Sequence, residues 1–144
     1  MWIEYVSKYL EKANFNSPAL YLNIISVEKD LKVKLPDELR ELLIETNGIK
    51  DQFLSDLIWP LERIKNDNLM FRNFNDFKEL YMPFDHLLFF SDSGTGDQFA
   101  YAILNGEIRR NDIFVWDHES DSRKWVASSM KQYIEWMLTD KIHY

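Results

Sequence analysis

The sequence contains no cysteine. This absence excludes a disulfide framework, a thiolate nucleophile and thiolate metal ligands. Glycine and proline are scarce, at four residues each, and no repeat or low-complexity segment is present. No run of about 18 apolar residues occurs, and the start of the chain lacks the basic and apolar regions of a signal peptide. We therefore expect a soluble, cytoplasmic protein that does not bind a membrane.

Positive charge is also in short supply. The chain has 17 lysine and arginine residues against 24 aspartate and glutamate residues, which gives a net charge of −7. A field of this sign repels phosphate backbones and attracts basic surfaces. We therefore do not expect nucleic acid to be a direct ligand.

Apolar residues, by contrast, are plentiful. The composition is 46% hydrophobic and 15% aromatic, which is enough to build a packed core. A chain of 144 residues is most economically one domain. We therefore treat residues 1–144 as a single domain.

The first third of the chain has the spacing of amphipathic helices. Apolar residues at helical spacing predict a first helix that ends near Asn14. Ser17 and Pro18 are typical of a second helix start. A third helix is predicted to begin at Pro36, and Gly48 can take the left-handed conformation that stops it.

The second half of the chain has the pattern of strands. The runs "HLLFFSD", "DQFAYAIL", "DIFVWD" and "RKWVAS" predict an antiparallel meander, with a tight hairpin at Asn105-Gly106. Ser128 or Ser129 is expected to cap a closing helix. Between these halves, residues 49–84 predict a short strand broken by Pro60, followed by helix or irregular surface. The fold class is therefore α+β, a single domain with a mainly antiparallel sheet packed by N-terminal helices and a C-terminal helix.

The stretch "FFSDSGTGDQFAY" places two glycines and two acids between predicted strands. Gly94 and Gly96 permit positive backbone angles or close approach by another segment, and Asp92 and Asp97 can accept hydrogen bonds from nearby amides. The segment lacks the lysine and the following helix of a phosphate-binding loop, and it lacks the ligand spacing of a calcium loop. We interpret it as a turn or a partner-contact loop.

A second cluster, "WDHESDS", combines the carboxylates and the imidazole used by metal hydrolases. Its members are Asp117, His118, Glu119 and Asp121. No metalloprotease or nucleophile-elbow motif accompanies them, and neighbours along an extended strand point to opposite faces. We therefore predict a solvated loop, with no catalytic residue, metal or cofactor. A hydrolase that uses Asp97, Asp117 and His118 is the last of the alternatives.

Tryptophan is a frequent anchor at protein interfaces. Trp116 lies in a predicted strand beside the second acidic cluster, and Trp59 lies beside Pro60. Most tryptophans of the chain are expected to be core or half-buried sheet residues, and we keep these two as candidate partner contacts.

Three stretches taken together resemble the SUKH superfamily, in particular its Smi/Knr-type branch, named after fungal cell-wall regulators. They are "VEKDLKVKLPDELRELLIETNGI", "LLFFSDSGTGDQFAYAI" and "DIFVWDHESDSRKWVASSMKQYIEWML". The first carries the "LP" turn and the helix ending in "NG". The other two carry the strand, the Gly-and-Asp loop and the later strand that ends in acids. The residues that match are Leu35, Pro36, Asn47, Gly48, Phe90, Asp92, Gly94, Gly96, Asp97, Phe99, Val115, Trp116, Asp117, His118 and Glu119.

The resemblance implies an α+β fold and a role in binding rather than catalysis. Bacterial members are typically immunity proteins that neutralise a polymorphic toxin, often a nuclease. We therefore expect a cognate protein toxin with a basic surface as the partner. The alternative that the resemblance implies is a regulatory or scaffold module like the fungal members, which would bind a cellular protein. The candidate partner contacts are Trp59, Asp92, Gly94, Gly96, Asp97, Trp116, Asp117, His118, Glu119 and Asp121.

Overall fold

A computed structural model describes all 144 residues. The six helices are α1 (Trp2–Ser7), α2 (Tyr21–Leu31), α3 (Asp37–Glu45), α4 (Leu61–Asn73), α5 (Asn75–Leu80) and α6 (Met130–Leu138). The seven strands are β1 (Asn14–Phe15), β2 (Ile49–Lys50), β3 (Asp56–Ile58), β4 (Leu87–Asp92), β5 (Gln98–Ala102), β6 (Ile113–Trp116) and β7 (Arg123–Ala127). None of the helices combines the length and the apolarity needed to cross a membrane.

Strands β4 to β7 form the predicted antiparallel meander, in the order β4-β5-β6-β7. Asn105 and Gly106 both have positive φ, and Leu104 bridges Glu107 around them, which is the geometry of a two-residue hairpin turn. Ser129 caps α6, because its side chain accepts a hydrogen bond from the Gln132 N–H at 3.2 Å. The predicted α+β class is confirmed.

A second, smaller sheet has the order β1-β2-β3 and is also antiparallel. Its strand β3 lies against β4, since the Trp59 N–H donates to the Phe90 carbonyl at 2.9 Å. The Ser91 hydroxyl donates to the Leu57 carbonyl at 2.6 Å. The sequence predicted only β3 of this sheet, because β1 and β2 are too short to show a period of two.

The hydrophobic core contains 35 buried residues, and helices cover both faces of the four-stranded sheet. On one face, Phe71 of α4 packs edge-on against Phe89 and Trp116, with ring centroids 5.1 and 5.5 Å away. On the other face, Tyr133 of α6 contacts Phe90 at 5.2 Å between centroids. Burial of these rings on both faces fixes the sheet between its helices.

The end predicted for α1 and the start predicted for α2 are wrong. Helix α1 ends at Ser7 rather than near Asn14, because Asn14 pairs with Lys50 in the small sheet. Helix α2 begins at Tyr21 rather than at Pro18, because the Ala19 N–H donates to the Leu43 carbonyl at 2.8 Å. In both cases a tertiary contact overrides the local preference.

Helix α3 ends at Glu45, before Gly48, so this glycine does not cap the helix as predicted. Gly48 has a φ of +90°, and a Cβ there would lie 2.8 Å from the Pro60 nitrogen. The glycine is therefore required for close backbone approach to Pro60. Pro60 follows the end of β3 as expected, and α4 begins directly after it. Residues 61–80 were predicted to be either helix or irregular surface, and they form the helices α4 and α5.

Candidate partner-binding site

Two loops that carry the candidate acids leave the four-stranded sheet at the same end. Residues 93–97 connect β4 to β5, and residues 117–122 connect β6 to β7. Because successive strands of a meander alternate in direction, these two turns must lie together. We call residues 92–97 and 117–121 the acidic loops.

The two glycines of the first acidic loop serve different purposes. Gly94 has a φ of +81°, and no atom lies within 4 Å of the position that its Cβ would occupy. Gly96 has a φ of +110°, and its Cβ would lie 2.8 Å from the ring of His118. Gly94 therefore meets the needs of a turn, while Gly96 allows the second acidic loop to pack on the first.

Asp97 is the link between the loops. Its Oδ1 accepts hydrogen bonds from the His118 N–H at 3.0 Å and lies 2.6 Å from His118 Nδ1. Its Oδ2 accepts a hydrogen bond from the Tyr144 hydroxyl at 2.6 Å. Burial alone would raise the pKa of Asp97, but the hydrogen bonds from Tyr144 and His118 outweigh it and hold this pKa below its ordinary value. The same contact raises the pKa of His118.

His118 lies in one cluster with Asp117 but not with its other sequence neighbour, Glu119. One ligand atom each from Asp97, Asp117 and His118 lies within 4.8 Å of the other two. Strand β6 ends at Trp116, and Asp117 opens a turn closed by the Asp121 N–H at 2.8 Å, so the alternation of an extended strand no longer applies. These three residues are the group that could hold a cation, although three donors already occupy the Asp97 oxygens.

Asp92 accepts hydrogen bonds on both of its oxygens. Its Oδ1 accepts from the Gly94 N–H at 2.8 Å. Its Oδ2 accepts from the Trp59 indole at 2.7 Å, and Arg63 of α4 lies 3.0 Å away. The Arg63 guanidinium in turn lies over the Trp59 ring, 4.2 Å from its centroid. This carboxylate fastens the first acidic loop to the small sheet and to α4.

Asp121 fastens the second acidic loop in the same way. Its Oδ1 accepts from the Trp116 indole at 2.8 Å and from Arg123 at 2.9 Å. Its Oδ2 accepts from the Met82 N–H at 2.9 Å. Burial would raise the pKa of Asp121, but these hydrogen bonds hold it below its ordinary value.

The structure corrects the placement of the two candidate tryptophans. Trp59 and Trp116 are 0% and 3% exposed, so neither ring is available to a partner. Each is a core residue whose indole N–H donates a hydrogen bond to an aspartate of the acidic loops, Trp59 to Asp92 and Trp116 to Asp121. The exposed residues of the acidic loops are instead Gly94, Thr95, Gly96, Glu119 and Ser120, and Asp117 and His118 are half-buried.

An exposed apolar pair that the sequence analysis missed lies at the same end of the molecule. Phe53 and Leu54, between β2 and β3, are 78% and 65% exposed. Arg63 bridges Asp56 at the start of β3 to Asp92 at the end of β4, at 2.9 and 3.0 Å, which brings this loop beside the first acidic loop. The sequence feature that could have indicated this exposed pair is the occurrence of two large apolar residues in the otherwise polar stretch "KDQFLSD".

The loop that carries this pair is held by its own hydrogen bonds. The Asp51 carboxylate accepts from the Phe53 N–H at 2.8 Å and from the Ser55 N–H at 3.0 Å. Leu54 has a φ of +65°, a conformation that is costly for a residue with a side chain. The structure thus holds two apolar side chains in solvent at some cost in backbone energy.

Comparison with known proteins adds one match. The family model SUKH_6, described as SMI1-KNR4 cell-wall, matches residues 22–134. The matched region includes both acidic loops and the Phe53-Leu54 loop. No curated protein matches the sequence.

Proposed function

The chain belongs to the SUKH superfamily, within its SMI1-KNR4 type, and on this premise we propose that it is a non-enzymatic immunity protein. In this role it binds a cognate polymorphic toxin in the cytoplasm of the producing cell and neutralises it. The toxin presents a basic surface to the acidic loops, as a nuclease would. The observation that carries the proposal is the exposed Phe53-Leu54 pair held on a braced loop beside them.

Apolar anchors and rim charges have different tasks in such an interface. A large apolar side chain that enters a pocket contributes most to affinity, while charges around it speed encounter and select the partner. Phe53 and Leu54 supply the first kind of contact. Glu119 and Asp117 supply the second, supported by the net charge of −7. We expect a buried area on the order of 800 Å² on this side.

The internal hydrogen bonds of the acidic loops favour binding without rearrangement. Asp92, Asp97 and Asp121 each have three polar contacts, and in each case at least one contact comes from a different loop or element. A surface that is already ordered loses little conformational entropy when it binds. These three acids therefore shape the site, while the exposed residues around them contact the toxin.

Growth rescue tests the proposal. Co-expression with the toxin encoded by the adjacent gene should restore growth, and the two proteins should co-purify. Phe53→Ala should weaken the complex by about 2 kcal/mol, roughly 30-fold, as for an interface anchor. The matched control is Leu22→Ala in α2, because Leu22 is also 78% exposed. Absence of rescue and of a complex would remove the proposal.

The words "cell-wall" in the description of the family model favour a second candidate, a regulatory or scaffold module that binds a cellular protein. Gene neighbourhood separates the two candidates. An adjacent gene for a large secreted toxin favours immunity, whereas its absence together with capture of a defined cellular partner favours regulation.

The non-enzymatic part of the proposal is tested at Asp97, Asp117 and His118. Metal analysis and a hydrolase screen of the purified protein should be compared with His118→Ala. Turnover of a substrate that is lost in His118→Ala would overturn this part of the proposal.

A further inference from the structure

A second group of exposed apolar side chains lies on α5 and on the chain that follows it. Leu80 and Met82 are 68% and 56% exposed, and Phe74, which precedes α5, is 44% exposed. Helix α5 itself has no buried residue, so it lies on the surface of the domain. We call residues 74–85 the α5 segment. Several large apolar side chains exposed on one short segment are typical of a surface that binds another protein.

The α5 segment is fastened to the second acidic loop. The Met82 N–H donates to Asp121 Oδ2 at 2.9 Å. The Tyr81 hydroxyl donates to the His118 carbonyl at 3.3 Å. The surface formed by the α5 segment at Met82 therefore continues directly into the surface of the second acidic loop.

Arg123 holds the part of the α5 segment that is neither helix nor strand. Its side chain is only 9% exposed, and it donates to the carbonyls of Met82 and Pro83 at 2.9 and 2.8 Å. It also donates to Asp121 at 2.9 Å and lies over the Phe84 ring, 4.8 Å from its centroid. These contacts keep Met82 in one position before any partner binds. A surface that is already ordered loses little conformational entropy on binding.

The α5 segment carries charge of the same sign as the acidic loops. Asp76, Glu79 and Asp85 are exposed, and Lys78 is the one basic residue, which gives the segment a net charge of −2. None of these four side chains has an oppositely charged group within 4.0 Å. A basic partner surface that suits the acidic loops therefore also suits this segment.

The size of a protein interface also favours a contact beyond the acidic loops. A standard interface occupies roughly 20–30 residues on each partner. The acidic loops and the Phe53-Leu54 loop are together smaller than that. The Phe53-Leu54 loop adjoins the first acidic loop and the α5 segment adjoins the second, so the acidic loops lie between two exposed apolar groups.

We propose that the α5 segment is a second apolar contact of the toxin interface, which extends from Phe53 and Leu54 across the acidic loops to Leu80 and Met82. This inference rests on the proposed function and names the partner surface that fits it: a basic centre with an apolar site on either side. Leu80 and Met82 enter one of these apolar sites, and the flexible thioether of Met82 adapts to its shape.

Titration calorimetry with a catalytically inactive form of the toxin encoded by the adjacent gene tests the contribution of Leu80. Leu80→Ala should weaken the complex about tenfold, as for an apolar interface residue. The matched control is Leu104→Ala, because Leu104 is 59% exposed and the connection from β5 to β6 lies at the opposite end of the meander from the acidic loops. The control should leave the affinity within about twofold, and unaltered circular dichroism establishes that both variants are folded.

A fluorescent label tests whether the toxin covers the α5 segment. Because the chain contains no cysteine, Met82→Cys creates a single labelling position. The emission of a small environment-sensitive dye at position 82 should move to shorter wavelength when the toxin is added. The same dye on Leu104→Cys should keep its emission.

The outcomes separate this inference from the proposed function. If a complex forms and Phe53→Ala weakens it, while Leu80→Ala binds within twofold and the dye at position 82 does not respond, the α5 segment is not a contact and this inference is overturned alone. Absence of any complex with the unsubstituted protein would overturn both.

Discussion

At the scale of single residues, Asp97 and His118 form a coupled pair that reports on the packing of the acidic loops. Asp97 Oδ1 lies 2.6 Å from His118 Nδ1. Gly96 has no side chain, which leaves the space that the His118 ring occupies. His86, by contrast, is partly buried beside Arg123, and both effects lower its pKa. The two histidines are therefore displaced in opposite directions from the ordinary value of about 6.5.

We expect nuclear magnetic resonance titration to show His118 protonated at a higher pH than His86. The contact with Asp97 favours the charged imidazole, so Asp97→Asn should lower the pKa of His118 towards its ordinary value. The same substitution should leave the pKa of His86 unchanged, which serves as the internal control. Titration of His118 at or below the pH of His86 would contradict the geometry.

The contact between Asp97 and His118 makes the free energy of unfolding depend on pH. Because the folded pKa of His118 is raised, its stabilisation is complete below about pH 6.5 and is lost as the pH rises through the folded pKa. Because the folded pKa of Asp97 is lowered, its stabilisation is present above about pH 3.9 and is lost as the pH falls through the folded pKa. The urea midpoint of the unsubstituted protein should change with pH in both of these pH ranges. In Asp97→Asn both changes should be absent.

At the scale of elements, Asn68 joins α4 to the edge of the four-stranded sheet. It is 1% exposed, and its amide accepts from the Phe89 N–H and donates to the Phe89 carbonyl, both at 2.8 Å. The side chain thus replaces the strand that would otherwise pair with Phe89 on this edge. Such substitution satisfies the backbone without extending the sheet.

Replacement of this amide should be costly. Asn68→Leu leaves the buried N–H and C=O of Phe89 without partners, and we expect a loss of at least about 2 kcal/mol in the free energy of unfolding. Asn66→Leu, at an exposed position of the same helix, should change it by less than about 0.5 kcal/mol. Urea denaturation measures both, and equal losses would show that Asn68 has no special role.

The elements that were predicted well are those whose signal is local. The meander, the Asn105-Gly106 turn and the Ser129 cap follow from strand runs, a turn dipeptide and a capping side chain, and all three are confirmed. The limits of α1 and α2 depend on contacts with Lys50 and Leu43, which are distant in sequence. No local pattern contains that information.

At the scale of the whole molecule, the predicted meander is confirmed, and its strand order places the two acidic loops together. The sequence did not indicate which neighbours of these loops face solvent. Trp59 and Trp116 were candidate contacts because of their residue type, and the fold buries both. Phe53 and Leu54 are exposed on a loop that the Asp51 carboxylate organises. That the domain bounds are 1 and 144 stays a prediction.

The distribution of charge over the molecule leads to a kinetic prediction for the toxin complex. The net charge of −7 should steer a basic partner, so the association rate constant should fall as salt is raised. Glu119→Lys moves two charge units at the acidic loops. At about 8 Å in water this changes the interaction with one partner charge by about 1 kcal/mol, which corresponds to about fivefold slower association.

The control for this prediction is Glu41→Lys in α3, an exposed position where the same change in net charge is made away from the acidic loops. Stopped-flow measurements at several salt concentrations should show slower association for Glu119→Lys, and a dissociation rate that changes little. Phe53→Ala should do the reverse, because an apolar anchor acts after encounter. Equal slowing by the two charge reversals would mean that the toxin responds to net charge alone and that the acidic loops do not guide its approach.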